Sequence, residues 1–212
     1  MGSGKRAGPA RGERRAALVA AAVDLFSRKP YDDIFISDIA EQAGVAHGLL
    51  FYHFKDKRGL YLAALKQVLD EIIELQRPGP GETTRQKRLR GVIRRQIEYR
   101  RDHVHTALST MGTGGQDPDL DELVEQTRSA SADFIVDLLE LPGPPSRELR
   151  VAVRGCMGLL DQMTADWLAH DRDLELDELE RLVYVGVVAV LSTVCASHQG
   201  IQHAVDELLE AV

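Results

Sequence analysis

A glycine at position 44 divides two short amphipathic segments, and that division constrains the chain more than any other feature. Residues 36–62 read ISDIAEQAGVAHGLLFYHFKDKRGLYL. In the first segment, 38–42, Ile39 and Ala40 supply an apolar pair that faces inward. Gly44 falls where that helix must end and the chain turn, because glycine adopts positive φ at no steric cost. Val45 gives the turn an apolar anchor, and 46–54 forms the second helix. A second helix held at a steep angle by a short Gly-containing turn is the helix-turn-helix arrangement, which places that helix in the major groove of DNA.

The string resembles the TetR family of bacterial regulators. Ile39, Ala40, Ala43, Gly44 and Val45 match the family's I-A-x-x-A-G-V turn. Ala46, Gly48, Leu50, Phe51, His53, Phe54 and Lys55 match the small residue, the following Gly and the L-aromatic-x-[HY]-F-K segment after it. The likeness covers 11–62, including a preceding helix at 14–29 that ends in LFSRKPY. The rest of the chain resembles the family in helix count, length and a late Trp. Three positions depart from the pattern. Leu49 stands where Ser or Thr is common, Phe51 where Tyr is common, and Ile34 and Phe35 where a Ser or Thr often precedes the first of the two helices. Ser37 is then the nearest residue able to cap that helix, or to offer its hydroxyl to a phosphate from within the first turn.

Charge is segregated along the chain. Residues 1–60 hold 10 Lys/Arg and 7 Asp/Glu, whereas 61–212 hold 16 and 26, so a head of +3 precedes a body of −10. A slightly basic head on an acidic body suits a protein whose head alone meets phosphate. The 44% hydrophobic content excludes a disordered chain. The longest apolar run, 182–196, is shorter than the ~20 residues a membrane helix needs, so no membrane partner is expected. The basic N-terminus is followed by no apolar run and does not read as a signal peptide. Cys156 and Cys195 sit in apolar helical contexts and are expected as reduced thiols in a cytoplasmic protein.

The organisation expected is all-α: a disordered basic arm over 1–11, a three-helix DNA-binding domain over 12–58, and a helical ligand-binding and dimerisation domain over 59–212. The segment from Lys57 carries Leu60, Leu62, Leu65, Val68, Leu69 and Ile72 on one broad face and breaks at Pro78. Residues 84–101 hold eight Lys/Arg against one acid, interleaved with Leu89, Val92, Ile93, Ile97 and Tyr99. That is an amphipathic helix whose cationic face is solvated or paired with acids of the body. Further helices are expected over 102–111, 119–139, 146–170, 177–197 and 202–209.

On the second helix of the motif, Ala46, His47, Gly48 and Leu49 are placed to meet base edges, with His47 able to donate or accept and Leu49 able to touch a thymine methyl. Tyr52, His53 and Lys55 are placed near phosphates, as are Ser37 and, from the arm, Arg6 and Arg11. Leu50, Phe51 and Phe54 read as core of the head. The family resemblance implies an inducer pocket among the middle helices and a dimer built by the last two long ones. Candidate pocket residues are Tyr99, His103, Leu108, Met111, Phe134 and Met157, together with Asp161 and Trp167. Asp161 is a carboxylate among apolar neighbours and needs a partner such as Arg154, a capping group or a ligand. The run 182–194 is apolar nearly all round, which implies burial on both sides, and Leu182, Gly186, Ala189 and Val190 are the candidate dimer contacts.

No catalytic constellation is present. None of the seven histidines has Glu three positions before it, as a di-iron bundle would need. H-E-x-x-H, G-x-S-x-G and G-x-x-x-x-G-K-[ST] are all missing. His103 and His105, like His198 and His203, lack further ligands, so neither metal nor cofactor is expected. The expected function is a dimeric, ligand-responsive regulator of the repressor type that binds a palindromic operator in double-stranded DNA and is released by a small-molecule inducer. The alternatives are a DNA-binding regulator controlled by a protein partner, and an enzyme on a helical bundle.

Overall fold

The computed structural model describes residues 11–105, 117–141, 145–195 and 202–209. Among these residues there are nine α-helices, one short 3-10 turn and no strand. The expectations for Arg6, Leu108 and Met111, for the arm before Arg11 and for His198 fall outside the described residues, as does most of the helix expected over 102–111. The chain divides into two compact units, Met1–Val68 and Leu69–Val212.

The first unit comprises α1 (Arg11–Arg28), the 3-10 turn Tyr31–Asp33, α2 (Ile36–Gln42), α3 (Gly48–Phe54) and the first turns of α4 (Lys57–Glu74). Arg11 lies in the first turn of α1 and not in an extended arm. The turn after α2 is a Schellman motif. Gly44 has φ +64°, its N–H donates to the Glu41 carbonyl at 3.0 Å, and the Val45 N–H donates to the Ala40 carbonyl at 3.0 Å. Ser37 does not cap α2. The preceding residue, Phe35, has no acceptor, so Asp38 reaches back to accept the Phe35 N–H at 3.0 Å, and Ser37 lies within the first turn. Helix α3 starts at Gly48, two residues later than the apolar pattern suggested, because Ala46 and His47 form a tight turn into it. Leu18, Ala22, Ile34, Ile39, Leu50 and Leu60 form the fully buried centre of this unit.

The second unit comprises the end of α4, then α5 (Arg85–Asp102), α6 (Pro118–Leu138), α7 (Arg147–Ala169), α8 (Leu176–Cys195) and α9 (Gln202–Leu209). Three helix starts follow from capping chemistry. The Thr84 hydroxyl accepts from the Lys87 N–H at 3.2 Å, Asp117 accepts from Asp119 and Leu120 ahead of Pro118, and Ser146 accepts from Leu149 at 3.2 Å. Helix α8 packs against α7, α5 and α9, and the apolar run 182–194 is helix throughout. Tyr184 is fully buried and donates its hydroxyl to the Leu208 carbonyl at 2.7 Å, which ties α9 to α8.

The cationic face of α5 is paired with the body's acids. Arg85 bridges Glu207 and Glu140, each at 2.6 Å, and Arg90 and Arg94 share Glu180 at 3.1 and 3.2 Å. Arg94 also meets Asp177 at 2.6 Å. Hydrogen bonds donated to these carboxylates hold the Arg85 and Arg94 guanidinium groups above their ordinary pKa.

Candidate nucleic-acid interface and the interior of the second unit

Helix α3 has three rows of side chains set by its register. Leu50 is 0% exposed and Phe54 8%, one turn apart, and they anchor the helix to the unit's core. The opposite side carries Gly48, Tyr52 and Lys55, all exposed. His47 and Phe51 form a third row, four residues apart, with ring centroids 5.6 Å apart. Phe51, expected in the core, is 48% exposed and belongs to the outer surface. A helix of 3.6 residues per turn explains this, since Leu50 and Phe54 already occupy the inward stripe and Phe51 lies about 100° away from Leu50. Phe35, at the start of α2, is also largely exposed.

A Cβ at Gly48 would meet no protein atom within 4 Å, and its φ lies outside the left-handed region. Neither packing within the chain nor backbone conformation therefore requires glycine there, although glycine weakens a helix by roughly 0.5–1 kcal/mol relative to alanine. The missing side chain leaves the backbone at this position open to close approach from outside the chain. Leu49 and His53 are half-buried beside this face, and Ala46 and His47 are exposed at its start. The Arg11 guanidinium lies 5.1 Å from the Tyr52 ring centroid, and Arg15 lies 5.0 Å from that of Phe54. Thus Arg11, Ala46, His47, Gly48, Tyr52 and Lys55 share one exposed surface region, and Ser37 is exposed on α2 with its hydroxyl 3.4 Å from Asp38.

The exit from α3 is tightly specified. Lys55 has φ +68° and ψ −49°, and the Asp56 N–H donates to the Phe54 carbonyl at 2.7 Å, a γ-turn with positive φ. Asp56 then caps α4 by accepting the Gly59 N–H at 2.7 Å. A Cβ on Gly59 would stand 2.3 Å from the Phe54 carbonyl oxygen, so only glycine fits under this turn. Lys57 closes the other side, donating to the Tyr31 carbonyl and sitting 4.0 Å from that ring's centroid.

In the second unit the candidate pocket residues fall into distinct neighbourhoods. Tyr99 stacks on His103 with centroids 4.1 Å apart and donates its hydroxyl to Glu71 of α4; burial and that carboxylate push its pKa up. Asp161 is partnered by Arg100, which sequence reasoning did not select, and not by Arg154, which pairs with Glu125. The Arg100–Asp161 distance is 3.0 Å, and Arg100 also donates to the Gln96 carbonyl and side chain. Burial draws the Arg100 pKa down while Asp161 opposes it. Trp167 is buried, its indole N–H donating to the Leu174 carbonyl at 2.9 Å. Met157 and Phe134 pack partly buried against the same core, Phe134 lying 6.0 Å from the Arg88 guanidinium. The Cys156 thiol is free and buried, and burial pushes its pKa up to about 12.

Helix α8 is buried along one face only, through Leu179, Val183, Tyr184, Val187, Val188 and Leu191. Leu182 and Ala189 are exposed and Val190 is half-buried. Gly186 faces α7 of the same chain, where a Cβ would stand 2.9 Å from Leu159 Cδ1. On α7, Val151, Gly155 and Gly158 form an exposed row at helical spacing, and a Cβ on either glycine would touch nothing.

A buried-centred three-helix head with a Schellman turn and an exposed, glycine-opened second helix defines a helix-turn-helix DNA-binding protein. Residues 18–64 match the family model for bacterial regulatory proteins of the tetR family. The HTH-type transcriptional activator FasR of Mycolicibacterium smegmatis is 27% identical over 170 residues, covering 79% of this chain and 78% of that protein. A TetR-family transcriptional regulator from Streptomyces coelicolor has a crystal structure that superposes with a TM-score of 0.81 at 26% identity, covering 99% of this chain and 90% of that one. The transcriptional regulator FadR from Bacillus subtilis, solved in complex with stearoyl-CoA, shares the fold with a TM-score of 0.63 at 20% identity, over 84% and 97% of the two chains. Residues 18–64 thus carry the DNA-binding domain of the tetR family, and the chain as a whole is similar to a TetR-family transcriptional regulator. No helix among the described residues is long and apolar enough to cross a membrane.

Proposed function

We propose that the protein is a homodimeric repressor that reads a palindromic operator through α3 and leaves it on binding an acyl-CoA thioester. The observation that carries the DNA-reading part is Gly48, whose missing side chain serves nothing inside the chain and lies at the N-terminal end of the exposed face of α3. His47, Leu49 and Ala46 meet base edges, while Arg11, Ser37, Tyr52, His53 and Lys55 face phosphates. The exposed faces of α7 and α8, with Leu182, Ala189, Val190, Gly155 and Gly158, support the dimer, which sets the two recognition helices about 34–36 Å apart. The stearoyl-CoA bound by the B. subtilis FadR of like fold supports the ligand class. Tyr99, His103 and Met157 on α5 and α7 are the residues proposed to meet it.

Selection of genomic fragments by the purified protein at about 150 mM salt tests this reading, because non-specific phosphate binding is weak there. A single enriched palindrome, lost with His47→Ala, is the expected result; no enrichment would overturn it. Stearoyl-CoA should then raise the melting temperature and weaken operator binding, the two effects being reciprocal by linkage. If it does neither, control by a protein partner becomes the better reading. Activation is the second reading for the sign of regulation, favoured by the likeness to the activator FasR. A promoter fusion separates the two, since deleting the regulator raises expression under repression and lowers it under activation.

A further inference from the structure

We infer that Phe51 is a specificity-determining residue that reads the 5-methyl group of a thymine in each operator half-site; this rests on the operator reading above. The departure from the family pattern is chemical. Phenylalanine at this position has no hydroxyl to give a phosphate, so whatever Phe51 contributes at a DNA surface it contributes as an apolar body. The structure leaves that body available. Phe51 is 48% exposed, while its neighbours in the stripe, Leu50 and Phe54, already complete the inward packing of α3.

One side of the ring is occupied by His47, whose plane is tilted 58° at 5.6 Å. The ring is nonetheless 48% exposed, three residues along the helix from the exposed and side-chain-free Gly48. A base edge admitted close to the Gly48 backbone therefore meets His47, a polar reader, and Phe51, an apolar one, together. In the major groove only thymine among the four bases presents a methyl group. A His–Phe row thus reads two adjacent features of different kind: a hydrogen-bonding edge and a methyl. Leu49, half-buried on the opposite flank of Gly48, leaves Phe51 the larger exposed apolar surface on this helix.

The test replaces thymine by uracil, which removes the methyl and nothing else. Full-length protein is first used to enrich duplexes from a random library. In the enriched palindrome each half-site thymine is then replaced in turn by deoxyuridine, and Kd is measured at fixed salt. At one position uracil should weaken wild-type binding roughly fourfold per half-site, about 0.8 kcal/mol for one buried methyl-sized group. With Phe51→Ala the thymine and uracil duplexes should bind equally at that position, and Leu49→Ala should keep the difference. Helical content and melting temperature of Phe51→Ala check its folding, and the uracil comparison on the wild type needs no variant. Equal binding of every uracil duplex by the wild type, or a ratio unchanged in Phe51→Ala, would overturn the assignment while leaving operator binding intact. Failure of any sequence to enrich would instead overturn the operator reading itself, and this assignment with it.

Discussion

The carboxylate of Glu82 sits where a side chain of Gly91 would be: a Cβ on Gly91 would stand 1.9 Å from Glu82 Oε1. The glycine in α5 makes room for an acid from the α4–α5 connection. Glu82 is held there by Arg95, which meets it through both terminal nitrogens, and by the Gly79 N–H at 2.7 Å. Arg95 also donates to the Leu75 carbonyl at 3.0 Å and the Arg77 carbonyl at 3.1 Å, the backbone acceptors that follow α4. One arginine thus caps the end of α4 and neutralises the acid that fills the glycine notch.

A double-mutant cycle should expose this arrangement through a reversal of sign. Gly91→Ala alone must displace Glu82 and is expected to destabilise by roughly 1–3 kcal/mol, the usual range for overpacking. In a Glu82→Ala background only the Arg95 guanidinium, the far end of a flexible side chain 2.9 Å from that Cβ, remains beside the notch and is free to swing away. The same change should then be neutral or stabilising by up to about 1 kcal/mol, because alanine is the better helix former. Urea denaturation of the four proteins measures the coupling; additive effects would refute the notch.

Acid should loosen the same clamp. Hydrogen bonding to Arg95 holds the Glu82 carboxyl below its ordinary value near 4.5. A group with a depressed folded-state pKa contributes stability that is complete above the unfolded value and disappears as pH falls through the folded one. Unfolding free energy of the wild type should therefore fall more steeply below about pH 4.5 than that of Glu82→Gln, and the two curves should run parallel above it. Denaturant melts between pH 3 and 7 provide the comparison.

What was legible in the chain and what was not divides by distance along it. The Gly44 turn and the starts of α5, α6 and α7 were legible because each is decided by a residue's own backbone preference or by an acceptor two or three positions from its donor. The outward position of Phe51 was available in principle, since Leu50 and Phe54 define the stripe that excludes it, but aromatic character alone suggests burial. The partner of Asp161 was not available. Arg100 lies 61 residues away on α5, and eight cations on that helix offered equivalent chemistry until the packing of α5 on α7 selected one. Gly186 and Gly155 look alike in the sequence; one faces Leu159 and the other open space, and only tertiary packing distinguishes them.

Gly48 yields a prediction in which stability and binding move apart. Nothing in the chain obstructs a Cβ there, so Gly48→Ala should leave the fold intact or stabilise it by up to about 1 kcal/mol. If the backbone at this position approaches a base edge, the added methyl costs roughly 1–3 kcal/mol at the interface, about five- to 150-fold in Kd. Thermal melts and operator titrations of the same preparation report both. Unchanged affinity would remove Gly48 from the interface.

The Arg100–Asp161 pair is the most buried charge pairing described in the second unit, with side chains 10% and 18% exposed. Removing one member leaves the other charged and poorly solvated, so Asp161→Ala should destabilise the ligand-free protein by about 3–5 kcal/mol. Replacing both, as Arg100→Met with Asp161→Leu, removes the desolvation cost together with the attraction and should recover most of that loss. Gln96 would then lose its donor from Arg100, which limits the recovery to less than the full amount. The two outcomes separate a structural from a ligand-holding role for Asp161. If the carboxylate serves a ligand alone, Asp161→Ala melts like the wild type in its absence and differs only when stearoyl-CoA is added. If it serves Arg100, the loss is present without any ligand and the double replacement reverses it.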